Sequence, residues 1–502
     1  MTAVPAWQII RTRLTHSRRN FLDQTRDLPQ QQQDYLSRLL HFQAETDFGR
    51  EHEFAAIQDI AGYRSRVPLQ EPEQLQQWVK RIHGGSPGVL SRDTSFFELT
   101  GGSAGGAKYL PYGESGLGDF RRALYPWLDD LLHQRPAIAA GPAYWSISPA
   151  LESLPRRHQG LPVGLESDLL YFGRELAGAI RSTLAVPPEV GGFHERKDWQ
   201  RETLRHLLRN PGLRLISVWS PSFLLGLVDA LRTLASDLYP CLSPSQQERL
   251  KSALHGGRLD TRRLWPQLDT ISCWTHGRAA AFLGELQARF PHAHIQPKGL
   301  LATEGVVSLP LEEAAEPVLA ACSGFYEFLA ENGEVCLSWE LETGPSYEVV
   351  LSNHLGLYRY RLGDRVEVCG WHGSLPMLRF LGRGRGSVDL CGEKLNEAFV
   401  ARALDGMPGF ALLLPWGDVR PCYVCISDQP EDHEVETRLR RNPQYDYARR
   451  LGQLGPLQWR TLPDALDRYQ AWCLARGQRL GDIKPLALLP DDAFLHYLEG
   501  HP

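Results

Sequence analysis

The chain has 502 residues, 42% hydrophobic and 23% charged, with 13 tryptophans that need buried surroundings. That length is too great for one compact core, so at least two domains are expected. A net charge of −5 and a pI near 6.4 exclude the basic excess of a dedicated nucleic-acid binder and leave small molecules as the ligands.

Residues 1 to 90 read mostly as helix, because Ile9, Ile10, Leu14 and Phe21, then Tyr35, Leu36, Leu39 and Leu40, recur at helical spacing. The Arg-rich stretch from Trp7 to Leu22 has neither the smooth apolar run nor the cleavage pattern of a secretory signal. The longest apolar run, Leu215 to Val228, is interrupted by Ser217, Ser220, Pro221 and Ser222, and is shorter than the ~20 residues of a membrane span. A soluble, cytoplasmic protein without membrane attachment is expected, and a monomer. Nine cysteines scattered through so long a chain fit reduced thiols better than a disulfide framework.

From Phe96 the texture changes to short apolar strands, glycine turns and intervening helices, as in Leu215 to Trp219 and Leu268 to Trp274, which predicts a mixed α/β core. A β-rich block follows from Gly324 to Leu381. Gly382-Arg383-Gly384-Arg385-Gly386-Ser387 makes poor strand or helix and reads as a hinge. The division expected is a large domain over 1–386 and a smaller one over 387–502. Within the latter, Cys422 and Cys425 sit in a strand-like run, so their thiols should point to opposite faces. No second pair completes a zinc site around them.

Three short stretches carry chemistry. Thr100-Gly101-Gly102-Ser103-Ala104-Gly105-Gly106-Ala107-Lys108 follows the strand-like Ser95 to Leu99. Its glycines let backbone N–H groups converge on an anion, and its hydroxyls and lysine add charge-assisted contacts. It misses the Walker pattern, since Ala107 stands at the lysine position and Tyr109 follows Lys108. The bland alternative is a flexible loop. Gly299 to Gly305 encloses Thr303-Glu304, an acid beside a hydroxyl that could hold Mg²⁺ against phosphate oxygens; a solvated Glu is the alternative. In Tyr358-Arg359-Tyr360-Arg361-Leu362-Gly363-Asp364, an Asp after a glycine turn could accept from ribose hydroxyls, or simply fix the turn.

The order of these stretches, closed by Gly382-Arg383 and a hinge, resembles that of adenylate-forming enzymes: acyl-CoA synthetases, peptide-synthetase adenylation domains and luciferases. Within that superfamily the chain is similar to the Gretchen-Hagen-type acyl-acid-amido synthetases, the auxin-responsive promoter family, in its bacterial branch. The likeness rests on Phe97 to Pro111, Gly141 to Pro149, Leu215 to Trp219, Gly299 to Pro310 and, most distinctively, Leu355 to Asp364, and runs from about residue 35 to Lys484.

The resemblance implies a large α/β adenylate-forming domain with mixed sheets and flanking helices, followed by a smaller, mobile α+β lid. It implies ATP and Mg²⁺ as cofactors, and a carboxylic acid and an amine, such as an amino acid, as substrates. Thr100, Gly102, Ser103 and Lys108 match the phosphate loop; Glu304, with Thr303 beside it, matches the acid that handles Mg²⁺ and phosphate. Asp364 and Arg383 match ribose contacts, and Tyr360 is expected near the nucleotide. Lys394, in Glu393 to Glu397, resembles a phosphate-facing lysine, and Lys484, in Asp482 to Pro485, the lysine used in adenylation. Gly101, Ala104 and Gly105 depart from the family's Ser/Thr-rich loop, and fewer donors should weaken ATP binding unless backbone N–H groups compensate. Trp145, Trp219, Trp274 and His276 are candidates to line an acyl pocket, or else core aromatics and a solvated histidine.

The expected reaction is adenylation of a carboxylic acid with release of pyrophosphate, then acyl transfer to an amine with release of AMP. A thiol acceptor, coenzyme A or a carrier, and a nucleotide-binding protein without turnover are the alternatives at this point.

Overall fold

The computed structural model describes residues 3–83, 88–99, 108–146, 157–165, 168–257, 259–384, 388–417 and 421–500. It is a mixed α/β fold in which helices flank several sheets. The N-terminal helices form as the periodicity predicts: Ala3–Leu14, Ser17–Gln24 and Leu28–Gln43, the last capped by Asp27, whose side chain accepts from the Gln30 amide. Among the described residues no helix is long and apolar enough to cross a membrane.

A four-stranded parallel sheet runs in the order Ala143–Trp145, Leu215–Ser217, Thr270–Cys273, His294–Pro297. A seven-stranded antiparallel sheet lies C-terminal to it in sequence. Its centre is the long strand Leu357–His372, flanked by Ser346–Asn353 on one side and Leu375–Arg383 on the other. The 21-residue helix Glu114–Gln134 binds the layers together. Its buried Asp119 accepts from the Tyr35 hydroxyl at 2.7 Å and from the His354 amide at 3.0 Å. Buried polar groups are stable only when paired this way.

A three-stranded sheet, Ala411–Trp416, Cys422–Ser427 and Gln458–Thr461, organises the C-terminal part. Cys422 and Cys425 are both buried in its central strand as free thiols. This part is tied to the rest of the chain by the buried Arg278, which donates to the carbonyls of Leu404 and Gly409, both at 3.1 Å.

The distinctive Tyr358 to Asp364 stretch proves to be mostly a fastening device. The Tyr358 hydroxyl donates to the Leu90 carbonyl at 2.6 Å, and Arg361 pairs with Glu348 and Glu71. Tyr360, expected near the nucleotide, is buried in the main hydrophobic core. The guanidinium of Arg359 is clamped by Glu327 at 2.8 and 3.0 Å, and Arg64 approaches the same carboxylate at 2.7 Å. Glu327 is fully buried, so deleting it strands two cations in a poorly solvated place. Glu327→Ala is therefore expected to cost roughly 3–5 kcal/mol, read as a large fall in the thermal unfolding midpoint.

The glycine turn expected before Asp364 is instead a bulge inside a continuous strand. Gly363 takes φ +82°, and the register between the two central strands slips between Glu348 and Val350, opposite it. A bulge re-aims the side chain that follows while the strand continues. Here that side chain is Asp364.

Candidate active site

Four sequence-predicted residues, Glu304, Asp364, Arg383 and Lys484, meet in one cleft. Asp364 and Arg383 are register partners on adjacent antiparallel strands, which brings them together across the sheet edge. Arg383 Nε lies 3.4 Å from Asp364 Oδ1, long for a hydrogen bond. That oxygen is buried and has no hydrogen-bond partner, so it keeps acceptor capacity for a ligand hydroxyl. Burial alone would weaken the charge on Arg383, but Asp364, Glu304 and Glu397 outweigh it and hold the guanidinium firmly protonated.

Thr303 and Glu304 form the two-residue turn between the strands Leu301–Ala302 and Gly305–Val306. Its backbone is held from outside: the Tyr112 hydroxyl donates to the Thr303 carbonyl, and Asn353 Nδ2 to the Glu304 carbonyl at 2.7 Å. Gly299 opens the segment because a side chain there would collide with the Ser308 carbonyl. Burial pushes the Glu304 carboxyl above the ordinary carboxylate range, with Arg383 and Lys484 opposing the shift and Asp364 adding to it. A carboxylate in that state is one that a cation would stabilise.

Lys484 follows the short helical turn Leu480–Asp482 and reaches into the same cleft. Its Nζ stands 4.8 Å from the Trp274 ring centroid and 5.9 Å from that of Phe380. Burial lowers its pKa, while Asp364, Glu304 and Glu397 pull the other way. The cleft thus gathers two cations and three carboxylates.

Glu397 is the member that sequence reading missed. It opens the helix Glu397–Ala403, capped by Asn396, and its Oε2 accepts from the Arg383 amide at 3.2 Å. Burial raises its pKa, and Arg383 counters. An acid in a first helical turn is ordinary, which is why it carried no signal.

Thr100, Gly102 and Ser103 of the glycine loop, and Arg385 to Ser387 of the hinge, fall outside the described residues. Lys108 emerges from the loop paired to Glu73 at 2.9 Å, an ion pair exposed on the Glu73 side. Pairs of this kind are worth ~1 kcal/mol or less, so the ammonium is held there only weakly. Lys394 is exposed in a left-handed turn at φ +47° and does not join the cleft. Its neighbour Glu393 is the buried one, accepting from the Leu390 and Cys391 amides at 2.8 and 2.7 Å and so shaping the turn. His276 binds Glu316 at 2.8 Å, which also holds Arg379. Trp219 and Trp274 pack together at 5.6 Å beside Lys484, and Trp145 packs on Trp127 and Phe172.

At the foot of the glycine loop, in the strand Phe96–Leu99, Glu98 accepts from the Leu165 amide at 2.9 Å. Burial raises its pKa from 4.5 to about 7, with Arg479 opposing. The folded state therefore holds this proton where the unfolded state has lost it, and stability falls as pH rises across that window. Glu98→Gln is expected to gain about 2–3 kcal/mol at pH 8 and nothing at pH 4, measured by urea unfolding at both values.

Among the described residues no group of three or more His, Cys, Asp and Glu side chains is placed to hold a metal ion. A cation shared between one carboxylate and nucleotide phosphates needs no such cage. The single acid Glu304 fits that donor set.

Comparison with known proteins converges on one family. The GH3 family N-terminal domain matches residues 17–244 and the GH3 family central domain residues 317–383, together more than half the chain. A Mus musculus protein described as "GH3 domain-containing protein" is 29% identical over 257 residues, which are 46% of this chain and 47% of that one. The chain thus spans about half the length of that relative. The Arabidopsis thaliana "Indole-3-acetic acid-amido synthetase GH3.2" is 22% identical over 438 residues, 76% of this chain and 79% of the relative. Among solved structures, "AtGH3.15 acyl acid amido synthetase in complex with 2,4-DB" superimposes with a TM-score of 0.85 at 18% identity, over 98% of this chain and 96% of the other.

Proposed function

Because the chain belongs to the GH3 family, carrying both its N-terminal and its central domain, we propose that it is an ATP-dependent acyl-acid amido synthetase. The observation that carries this reading is the meeting of Glu304, Asp364, Arg383, Glu397 and Lys484 in one cleft, since a carboxylate needs this set of charges to be activated.

A carboxylate is a poor electrophile because its oxygen is a poor leaving group. In the first step an oxygen of the substrate acid attacks the α-phosphorus of ATP. A new O–P bond forms, the bond to pyrophosphate breaks, and a mixed anhydride remains. Asp364 accepts a ribose hydroxyl through its open Oδ1, with Arg383 beside it fixing the nucleotide. Lys484 offsets the charge that builds on the α-phosphate, and the glycine loop, with Thr100, Gly102, Ser103 and Lys108, would cradle the outer phosphates. Glu304 would hold Mg²⁺ with phosphate oxygens, and the metal supplies further charge neutralisation.

In the second step the amine attacks the anhydride carbonyl. The C–N bond forms, the C–O bond to AMP breaks, and the nucleophile's proton is lost to solvent. Lys394 stands outside the cleft while Lys484 stands inside it. We take this as the arrangement for adenylation. Residues 387–502 then act as a lid that turns about the hinge beyond Arg383, withdrawing Lys484 and opening the acceptor side.

The reading is tested with a panel of acids in ATP–pyrophosphate exchange, followed by amines or coenzyme A with product masses recorded. Acid-dependent exchange and an amide product support it. Thioester without amide assigns the acceptor to thiols, and tight ATP binding without exchange removes the catalytic reading altogether.

A further inference from the structure

A second lysine lies near the cleft but outside the chemistry just described. Lys298 directly follows the parallel strand His294–Pro297. Its Nζ donates to Ser217 Oγ at 2.8 Å and stands 5.1 Å from the Trp219 ring centroid and 5.3 Å from that of Trp127. The one ionisable group that shifts it is the Cys273 thiol; burial dominates and brings its pKa down to about 8. A desolvated ammonium without a counter-charge is costly, and indole faces compensate only partly.

The sheet beneath it is unusual on the same side. Trp145, Ser217, Ser272 and Gln296 are register-matched across all four parallel strands, so their side chains share one face. The next row back on the other face is Tyr144, Ile216, Ile271 and Ile295. Parallel sheets covered on both sides normally carry apolar residues on both, as that second row does. In the polar row, Gln296 accepts from Trp127 Nε1 at 3.0 Å and Ser217 accepts from Lys298. Ser272 Oγ and Trp145 Nε1 are buried with no hydrogen-bond partner. Among the described residues, one cation without a paired carboxylate and two idle donors therefore share one face, at the carboxyl end of a parallel sheet where ligand crevices open.

Lys298 is also electrostatically separate from the nucleotide cluster. Glu304, Asp364, Arg383 and Lys484 perturb one another, and none of them perturbs Lys298. The link between the two places is the packed pair Trp219 and Trp274, with Lys298 over one ring and Lys484 over the other. An acid long enough to span the Trp219–Trp274 pair from Lys484 would present its far end to Lys298. Resting on the acyl-activating reading above, we propose that the acid substrate carries a second acidic group, and that Lys298 with Ser217, Ser272 and Trp145 binds this remote anion.

The test compares monocarboxylic and α,ω-dicarboxylic acids of equal chain length, aliphatic and aromatic, by two readouts. One is the acid-induced rise in unfolding temperature without ATP; the other is ATP–pyrophosphate exchange. The expected result is a larger thermal shift and roughly a hundredfold higher exchange efficiency with the diacid, the scale of a charge-assisted bond in a dry site. Lys298→Met should erase or reverse this preference, and Lys298→Arg should keep part of it. Ser217→Ala, which removes only the oxygen that aims the ammonium, should weaken the preference in the same direction, so a poorly folded Lys298 variant does not decide the matter. Equal responses to both acids in the wild type overturn the remote-anion site and leave the adenylation reading standing. Equal losses for both acids in Lys298→Met overturn it too, by assigning Lys298 to the reacting carboxylate. A diacid thermal shift that needs Lys298, with no exchange by any acid, supports the site and removes the reaction.

Discussion

Replacing Lys484 by Met is expected to slow acid-dependent pyrophosphate exchange roughly a thousandfold, with little change in the affinity for ATP. The methionine keeps an unbranched side chain of similar length and removes the charge that stands over the Trp274 and Phe380 rings. That charge is needed most when negative charge accumulates on the transferring phosphate, so its loss falls on turnover more than on binding. The variant should not unfold. Burial holds the Lys484 pKa below the ordinary lysine value, so the folded state releases this proton more readily than the unfolded one, and the side chain adds stability only as pH climbs through that interval. At pH 7 removing it is expected to leave the unfolding midpoint level or slightly raised. The parallel variant Lys394→Met should leave exchange within about threefold and slow amide release instead, since rim lysines contribute only when brought to the reaction. Exchange rates and product masses measured on both variants separate the two half-reactions.

Glu304→Gln is expected to cut exchange by about two to three orders of magnitude and to raise the Mg²⁺ concentration needed for half-maximal rate. Glutamine fits the same turn, since the Thr303 and Glu304 carbonyls are held by Tyr112 and Asn353 whatever the side chain. The stability effect runs opposite to the activity effect. A carboxyl whose pKa is raised in the fold opposes folding once it ionises, from its ordinary pKa upward, so the neutral amide should be the more stable protein at pH 7. Active sites that store unfavourable charge show this trade regularly. Unchanged exchange in Glu304→Gln would remove the acid from the mechanism.

Much of this site was legible because its members lie in stretches whose local chemistry is odd for structure alone: an acid in a glycine-bounded segment, an Asp behind a glycine, an Arg at a strand end. What escaped was whatever depends on pairing between distant strands. Glu397 carries no local signal, because only the packing of its helix on a distant strand sets its carboxylate against the Arg383 amide. Lys298 was read past because its neighbours Ser217 and Trp127 are far off in sequence and meet it only through sheet register and helix packing. In the Tyr358 to Arg361 run the polar residues fasten a strand, and Asp364, at the end of the same stretch, is its reach into the cleft. Helix periodicity near the N-terminus and strand alternation after Phe96 transferred directly, because both are set by local burial.

The order in which the cleft's parts occur along the chain has a consequence for biosynthesis. A chain emerges from the ribosome N-terminus first and tends to fold in that order. Glu304, Asp364 and Arg383 are made well before Lys484, which comes from the turn after Leu480–Asp482. A nascent protein can therefore gather Asp364 and Arg383, the pair proposed to bind ribose, while still lacking Lys484, the cation proposed for adenylate formation. On the proposed reading, an unfinished chain could hold ATP but not turn it over, and no reactive anhydride would be released before the closing segment is in place.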